Sequence, residues 1–271
     1  MKRFVLAILV VVLPSTGICF EQTLRRQPLA LERCIEKLPV GLPQHSGLQL
    51  VCRRGYLTAF DPLAKIPRWV AWTINPRTNA GCAARSNLFL VDPVVRASST
   101  PADYSLSRYD RGHMSPAADN AWDKVAELES FYMSNMAPQT PALNRGVWSQ
   151  LEAATRAWAR TANLKVIAGT IYTPDSKKIG TGVVVPEFYY KIVYNSDKNQ
   201  VAAWLFPNAA VVPQTFAAYR ASTQAITELS KQQFYMPPGT SELAQSENWR
   251  VDSVVFQQEK SAKCELEKAK N

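Results

Sequence analysis

Three β-rich runs follow one another in the second half of the chain: Leu164 to Tyr172, Val183 to Tyr194 and Val201 to Phe206. The last two are joined through Asn195-Ser196-Asp197, a turn signal. Two more strand-like runs lie upstream, Leu48 to Phe60 with a break at Gly55, and Arg68 to Ile74 with its bulky and aromatic residues. Helical stretches do not alternate with these runs. The sequence predicts one helix over Ala121 to Ser130 capped by Asn120, one over Arg145 to Thr161 and one near Ala217 to Gln233, then a closing strand near Val251 to Phe256. Irregular alternation excludes a doubly wound parallel sheet and predicts an α+β fold, an antiparallel sheet core flanked by helices.

A chain of 271 residues, 46% of them apolar, is long enough to bury a substantial core as one domain. Its first residues stand apart. Lys2 and Arg3 precede the apolar run Phe4 to Leu13 and the small residues Ser15 and Gly17, the composition of a secretory signal peptide ending by Cys19. The expected organisation is therefore a signal peptide over 1–19 and a single domain over 20–271, with a proline-marked leading segment over 20–47 and a basic tail over 257–271. The formal charge of +9 falls to about +7 without Lys2 and Arg3, which suits a polyanionic partner without selecting one. Once Cys19 is removed, Cys34, Cys52, Cys82 and Cys264 remain, an even number in an oxidising compartment. Their spacing fits no zinc pattern. Two disulfides allow three pairings; the one adopted joins Cys34 to Cys52 locally and Cys82 to Cys264, tethering the tail.

Chemistry concentrates in Tyr109-Asp110-Arg111-Gly112-His113-Met114-Ser115-Pro116. The chain has two histidines, and His45 sits in the turn Pro-Gln-His-Ser-Gly as an ordinary exposed residue. His113 is the candidate general base, flanked by a carboxylate and a guanidinium. Gly112 permits a turn or close backbone approach, and Pro116 fixes the exit. Downstream, Asn144 stands near the start of a helix whose Trp148, Leu151, Thr155 and Trp158 form a buried stripe. Its plain role is an N-cap, and Glu152 with Arg156, four residues on, makes a plain surface ion pair.

Taken together, the His113 loop, Phe131-Tyr132-Met133-Ser134-Asn135-Met136-Ala137-Pro138-Gln139 and Leu143-Asn144-Arg145-Gly146-Val147-Trp148-Ser149-Gln150-Leu151-Glu152 with Arg156 resemble the DNA/RNA non-specific endonucleases of the ββα-metal (His-Me finger) superfamily, from roughly Tyr56 to Tyr190. The resemblance implies that fold and a hydrolase cutting phosphodiester bonds of DNA and RNA through backbone contacts, with little base selection. It implies that Asn144 is a direct metal ligand and that Glu152 orients metal-bound water. Along a helix these two lie roughly 12 Å apart, too far for both to bind one ion directly. The implied cofactor is Mg²⁺, with Mn²⁺ able to substitute; one neutral amide plus waters suits that ion. By the same resemblance Asn135 lies close to His113 as a hydrogen-bonding group, and Arg85 matches an upstream arginine. Arg111 and Arg156 offer planar forks for phosphate oxygens, while Asp110 is expected to hold the loop or an arginine. The apolar leader favours a secreted or periplasmic protein, without a stable membrane anchor, over a mitochondrial one. Two other readings share these residues: a phosphodiesterase for another anionic polymer or lipid head group, and a non-catalytic nucleic-acid-binding relative.

Overall fold

A computed structural model describes residues 28–39, 41–43, 45–79, 81–210, 215–244, 249 and 253–269. The expected signal peptide lies outside the described residues, as does the start of the expected closing strand. Among the described residues no helix is long and apolar enough to cross a membrane.

A short helix α1 (Glu32–Ile35) leads into β1 (Gln49–Cys52), β2 (Tyr56–Asp61) and β3 (Ile66–Ile74). Then come β4 (Asp110–His113), α2 (Ala117–Asn120), α3 (Lys124–Glu129), β5 (Met136–Gln139) and α4 (Ser149–Trp158). The strands β6 (Leu164–Ile171), β7 (Lys178–Ile179), β8 (Val183–Val184), β9 (Phe188–Asn195), β10 (Gln200–Pro207) and β11 (Arg220–Ala221) precede α5 (Thr223–Ser230), β12 (Ser241–Glu242) and α6 (Ser253–Ala269). The main sheet runs β1-β2-β3-β6-β9-β10-β11, antiparallel throughout, with β12 added parallel to β10. This is the α+β architecture the strand runs predict.

Alternation along β3 shows why the sheet is buried on both faces. Val70 and Trp72 enter one apolar cluster with Tyr56, Val166, Tyr189 and Trp204, whereas Trp69 and Ala71 enter the opposite one with Leu57, Ile167, Tyr190 and Ile192. Leu143, Val147, Trp148, Leu151, Ala154 and Trp158 lay the helical segment before and through α4 onto the first cluster. The disulfide Cys34–Cys52 ties α1 to β1, and Cys82–Cys264 ties the 81–83 segment to α6, the adopted pairing.

Several helix boundaries differ from expectation, each for a local reason. Asp123, not Asn120, caps α3 by accepting from the Val125 and Ala126 amides; Asn120 ends α2 and spends its side chain on Ser115 and Pro116. Asn144 is not an N-cap: Thr140 caps a turn over Pro141–Leu143, and a wide π turn over Asn144–Trp148 follows before α4. The segment predicted as a helix from 217 to 233 is shorter, because Arg220–Ala221 pairs with β10 and Ser222 then caps α5. The run from 183 to 194 divides at Pro186, which separates β8 from β9. From Ser253 the predicted closing strand is the first part of α6 instead, a helix that runs on into the expected tail.

Candidate active site

The antiparallel pair β4–β5 and the helix α4 form a ββα unit on one face of the main sheet. Gly112 pairs with Ala137, and His113 with Met136. A Cβ at Gly112 would lie 2.1 Å from the Gln139 side chain, which packs over the bare glycine. Beyond the strand, Asn135 clamps the loop's exit: its Oδ1 accepts from the Ser115 amide at 2.9 Å, and its Nδ2 donates to the Ser115 and Ser130 carbonyls. Asn135 is fully buried, and its side chain braces the histidine loop rather than lining the cleft.

A cleft of about 440 Å³ opens between this loop and the start of the helical segment. Arg85, Arg111, His113, Asn144, Glu152 and Arg156 all line it, so six of the seven predicted site residues share one cavity. A larger hollow of about 660 Å³ lies elsewhere, against Asp61, Arg68 and Tyr172, and contains none of them. Size therefore does not mark the chemistry here.

His113 stands among aromatic rings, 4.7 Å from Phe131 edge-on and 5.8 Å from Phe89 between centroids. Its Nε2 is buried without a hydrogen-bond partner, while the residue lines the cleft. Burial, and then the positive charge of Arg85, lowers its pKa from 6.5 to about 3. The imidazole is therefore neutral near pH 7.

The opposite wall is charged. Asp110 accepts from Asn144 Nδ2 at 2.9 Å and from Arg145 Nε and a terminal nitrogen at 2.8 and 2.6 Å, joining the start of β4 to the π turn. Burial alone would raise the Asp110 pKa, but the hydrogen bonds from Arg145 and Asn144 outweigh it and hold the carboxylate below its ordinary value. Glu152 and Arg156 do not pair chiefly with one another. Arg156 reaches back to buried Asp119 at 3.0 Å, which also accepts from Trp72 Nε1 at 2.9 Å. Glu152 lies 3.9 Å from the ammonium of Lys191, a buried side chain over the Trp148 ring at 4.1 Å. Burial raises the Glu152 pKa against the opposing pull of Lys191 and Arg156. Burial likewise lowers that of Lys191 to about 8, against the pull of Glu152 and Asp119.

Phe89, Arg145, Asp119 and Lys191 carried no functional expectation from the sequence. Lys191 has the clearest signal in retrospect: it is the lone charge in the strand Phe188–Asn195, whose other positions from Tyr189 to Tyr194 are aromatic or β-branched. Phe89 offers none, because a tertiary bridge places it: Leu90 pairs with Tyr132, and Arg111 then lies over the Phe89 ring at 4.2 Å.

The donor set fits a hard, hydrated divalent ion. With Nδ2 given to Asp110, the Asn144 amide keeps its oxygen for the cleft, and Glu152 supplies a carboxylate on the same wall. Among the described residues no group of three or more His, Cys, Asp or Glu could hold a metal ion.

The family model of the DNA/RNA non-specific endonucleases matches residues 36–241. The chain is 32% identical over 181 residues to mitochondrial endonuclease G of Bos taurus, covering 60% of each chain. It is 34% identical over 191 residues to mitochondrial nuclease EXOG of Danio rerio, covering 63% of this chain and 55% of that one. A nuclease of Nostoc sp. is 30% identical over 203 residues, with 68% and 72% covered. The chain spans about three fifths of the length of the endonuclease G relatives. Among solved structures, a chain of the EndoG/EndoGI complex superposes with a TM-score of 0.68 at 24% identity, over 82% of this chain and 98% of that one, a likeness of fold. With the family span running from the leading segment through β12 and enclosing the whole cleft, the chain belongs to the DNA/RNA non-specific endonuclease family.

Proposed function

We propose that this protein is an exported endonuclease that hydrolyses phosphodiester bonds of DNA and RNA with little base selection, assisted by a divalent cation, Mg²⁺ in the first instance. One observation carries the reading above all: a neutral imidazole faces, across a single cleft, an amide, a carboxylate and several guanidinium groups.

In this reading the imidazole of His113 accepts the proton of the attacking water, its basicity set by the apolar rings and by Arg85. Arg111 and Arg156 receive phosphate oxygens, with Arg111 steadied over Phe89 and Arg156 oriented by Asp119. Asn144 would hold the cation through its amide oxygen, with Glu152 acting on the hydration shell; bound there, the ion supplies Lewis-acid stabilisation of the charge that builds on the phosphate and leaving oxygen. Asp110 fixes the Asn144 amide so that its oxygen, not its nitrogen, is presented. Contacts of this kind address phosphate rather than base edges, which supports low sequence selectivity. Two disulfides are at home in an oxidising compartment, and export is proposed on that ground together with the leader composition.

The test is digestion of supercoiled plasmid and of RNA by the purified protein. Cleavage in Mg²⁺, arrest by EDTA and recovery on adding Mg²⁺ back are expected. Turnover undiminished in chelator would remove the metal from the account, and no cleavage of either polynucleotide would remove the function.

A further inference from the structure

The helix α6 lies beyond the family span, which ends at 241, yet it lines a hollow that adjoins the cleft. A second hollow, about 320 Å³, is lined by Arg85, Ala117 and Ala118, all three of which also line the cleft, and on its far side by Lys260, Cys264 and Lys268. Those last three are four residues apart in turn and so share one face of α6. Two attachments hold that face in place. Cys264 is cross-linked to Cys82, and Glu259 pairs with Arg160 at the end of α4 at 3.3 Å. The ion pair is solvent-exposed and contributes little, so the covalent link carries the tether. Its anchor is closely fitted: a Cβ at Gly81 would meet the Ala121 and Trp122 backbone at 2.1 Å, and Ala83 donates its amide to the Ala121 carbonyl.

The lysines of α6 are not equivalent. Lys268 is paired with Glu265 at 3.0 Å, and Lys263 lies 3.9 Å from Glu267, each along the helix itself. Lys260 has no ion-pair partner among the described residues and is half-buried. Burial, then the positive charge of Arg156, holds its ammonium below the ordinary value against the pull of Asp119, which puts Lys260 within the field of the catalytic wall. The carboxylate bordering the same hollow, Glu127, is buried and accepts from the Ser86 amide. A free ammonium and the Arg85 guanidinium thus face each other over a hollow that runs into a cleft already lined by arginines.

We propose that Lys260 and Arg85 form an additional phosphate-binding subsite for the polynucleotide backbone, adjoining the cleft and held there by the Cys82–Cys264 cross-link; the proposal rests on the reading that the cleft cuts nucleic acid. A polynucleotide repeats its charge, so a chain with one phosphate under His113 presents a neighbouring phosphate to the rim. An isolated anion would gain nothing from a second cationic site beside the first.

The test uses the full chain carrying His113→Ala, so that binding of a labelled short DNA duplex is read without cleavage across a salt series. Adding Lys260→Ala should weaken binding several-fold at low salt and lower the slope of log K against log salt by about one. Adding Lys178→Ala, an exposed lysine of the separate large hollow, should leave the slope unchanged. An unchanged slope in the Lys260 variant, or equal losses in both, would overturn the subsite. Replacing Cys82 and Cys264 together by Ser should reproduce the Lys260→Ala loss, with Lys260→Ala costing nothing further on top; additive losses would overturn the tether. A thermal melt checks that the cross-link variant folds, and Lys260→Ala decides the subsite if it does not. Wild-type protein that cuts plasmid while the slope stays fixed defeats only this inference, whereas absence of cutting defeats the function on which it rests.

Discussion

The two walls of the cleft are built on opposite electrical principles. On the β4 side, His113 is set among Phe89 and Phe131, and a low dielectric with Arg85 nearby keeps its ring neutral. On the α4 side, Glu152 and Arg156 lie against buried groups of opposite sign, Lys191 and Asp119. Apolar packing thus sets a proton affinity, whereas buried counter-charges set the orientation of ions. Loss from the first wall should remove proton transfer; loss from the second should disturb the placing of the cation and the phosphate.

The sharpest break in that comparison is His113→Ala. Plasmid nicking should fall by about three orders of magnitude, since a positioned general base contributes roughly 10²–10⁴-fold, while duplex affinity stays near wild type. A variant that still nicks at the wild-type rate would dissolve the distinction between the walls. Next comes Glu152→Gln, which keeps the shape of the side chain and removes its charge. A loss of about a hundred-fold is expected, with more Mg²⁺ needed for half-maximal rate, as for groups that orient a metal's surroundings. An unchanged Mg²⁺ requirement would leave Glu152 with a structural role alone.

Asp119→Asn probes the layer beneath. It leaves Arg156 without the carboxylate 3.0 Å away, so KM should rise about tenfold with kcat nearly unchanged, and urea unfolding should register a loss of about 2 kcal/mol for the unpaired, mostly buried charge. A fall in kcat with KM intact would place Asp119 in the chemical step instead.

How much of this was written locally in the sequence follows from the same contrast. The sheet was legible because β3, β6, β9 and β10 are each dense in apolar, aromatic and β-branched residues. Arg111 and His113 were legible because they adjoin in one loop, and Glu152 and Arg156 because they lie one helical turn apart. The layer behind them was not. Asp119 meets Arg156 from 37 residues away and Lys191 meets Glu152 from the strand β9, so tertiary packing alone makes those pairs. The plain reading of Asn144 as a helix cap failed because a π turn has no simple sequence signature, and Asn135, expected beside His113 as a hydrogen-bonding group, spends its amide on the Ser115 and Ser130 backbone. The boundary errors share that cause: Arg220–Ala221 and α6 are fixed by β10 and by Cys82, not by local propensity.

Lys191→Met gives the smallest change in rate and the most specific one. The ammonium has no hydrogen bond, sits 3.9 Å from Glu152 and lies against Trp148, so an apolar replacement of similar length relieves desolvation while giving up a cation–π contact. Stability at neutral pH should change little. The charge, however, is what restrains the Glu152 pKa, which burial already raises. Without it that pKa climbs further, so the carboxylate takes a proton at a higher pH on acidification. At alkaline pH, where Glu152 is ionised in both proteins, the rates should agree within a few-fold, and the acid limb of the pH–rate profile should shift upward in the variant. Lys191→Arg, which keeps the charge, should restore the limb. An acid limb that stays put in Lys191→Met would mean that the ionisation of Glu152 does not govern turnover, and the charged wall would then owe its effect to Arg156 and Asn144 alone.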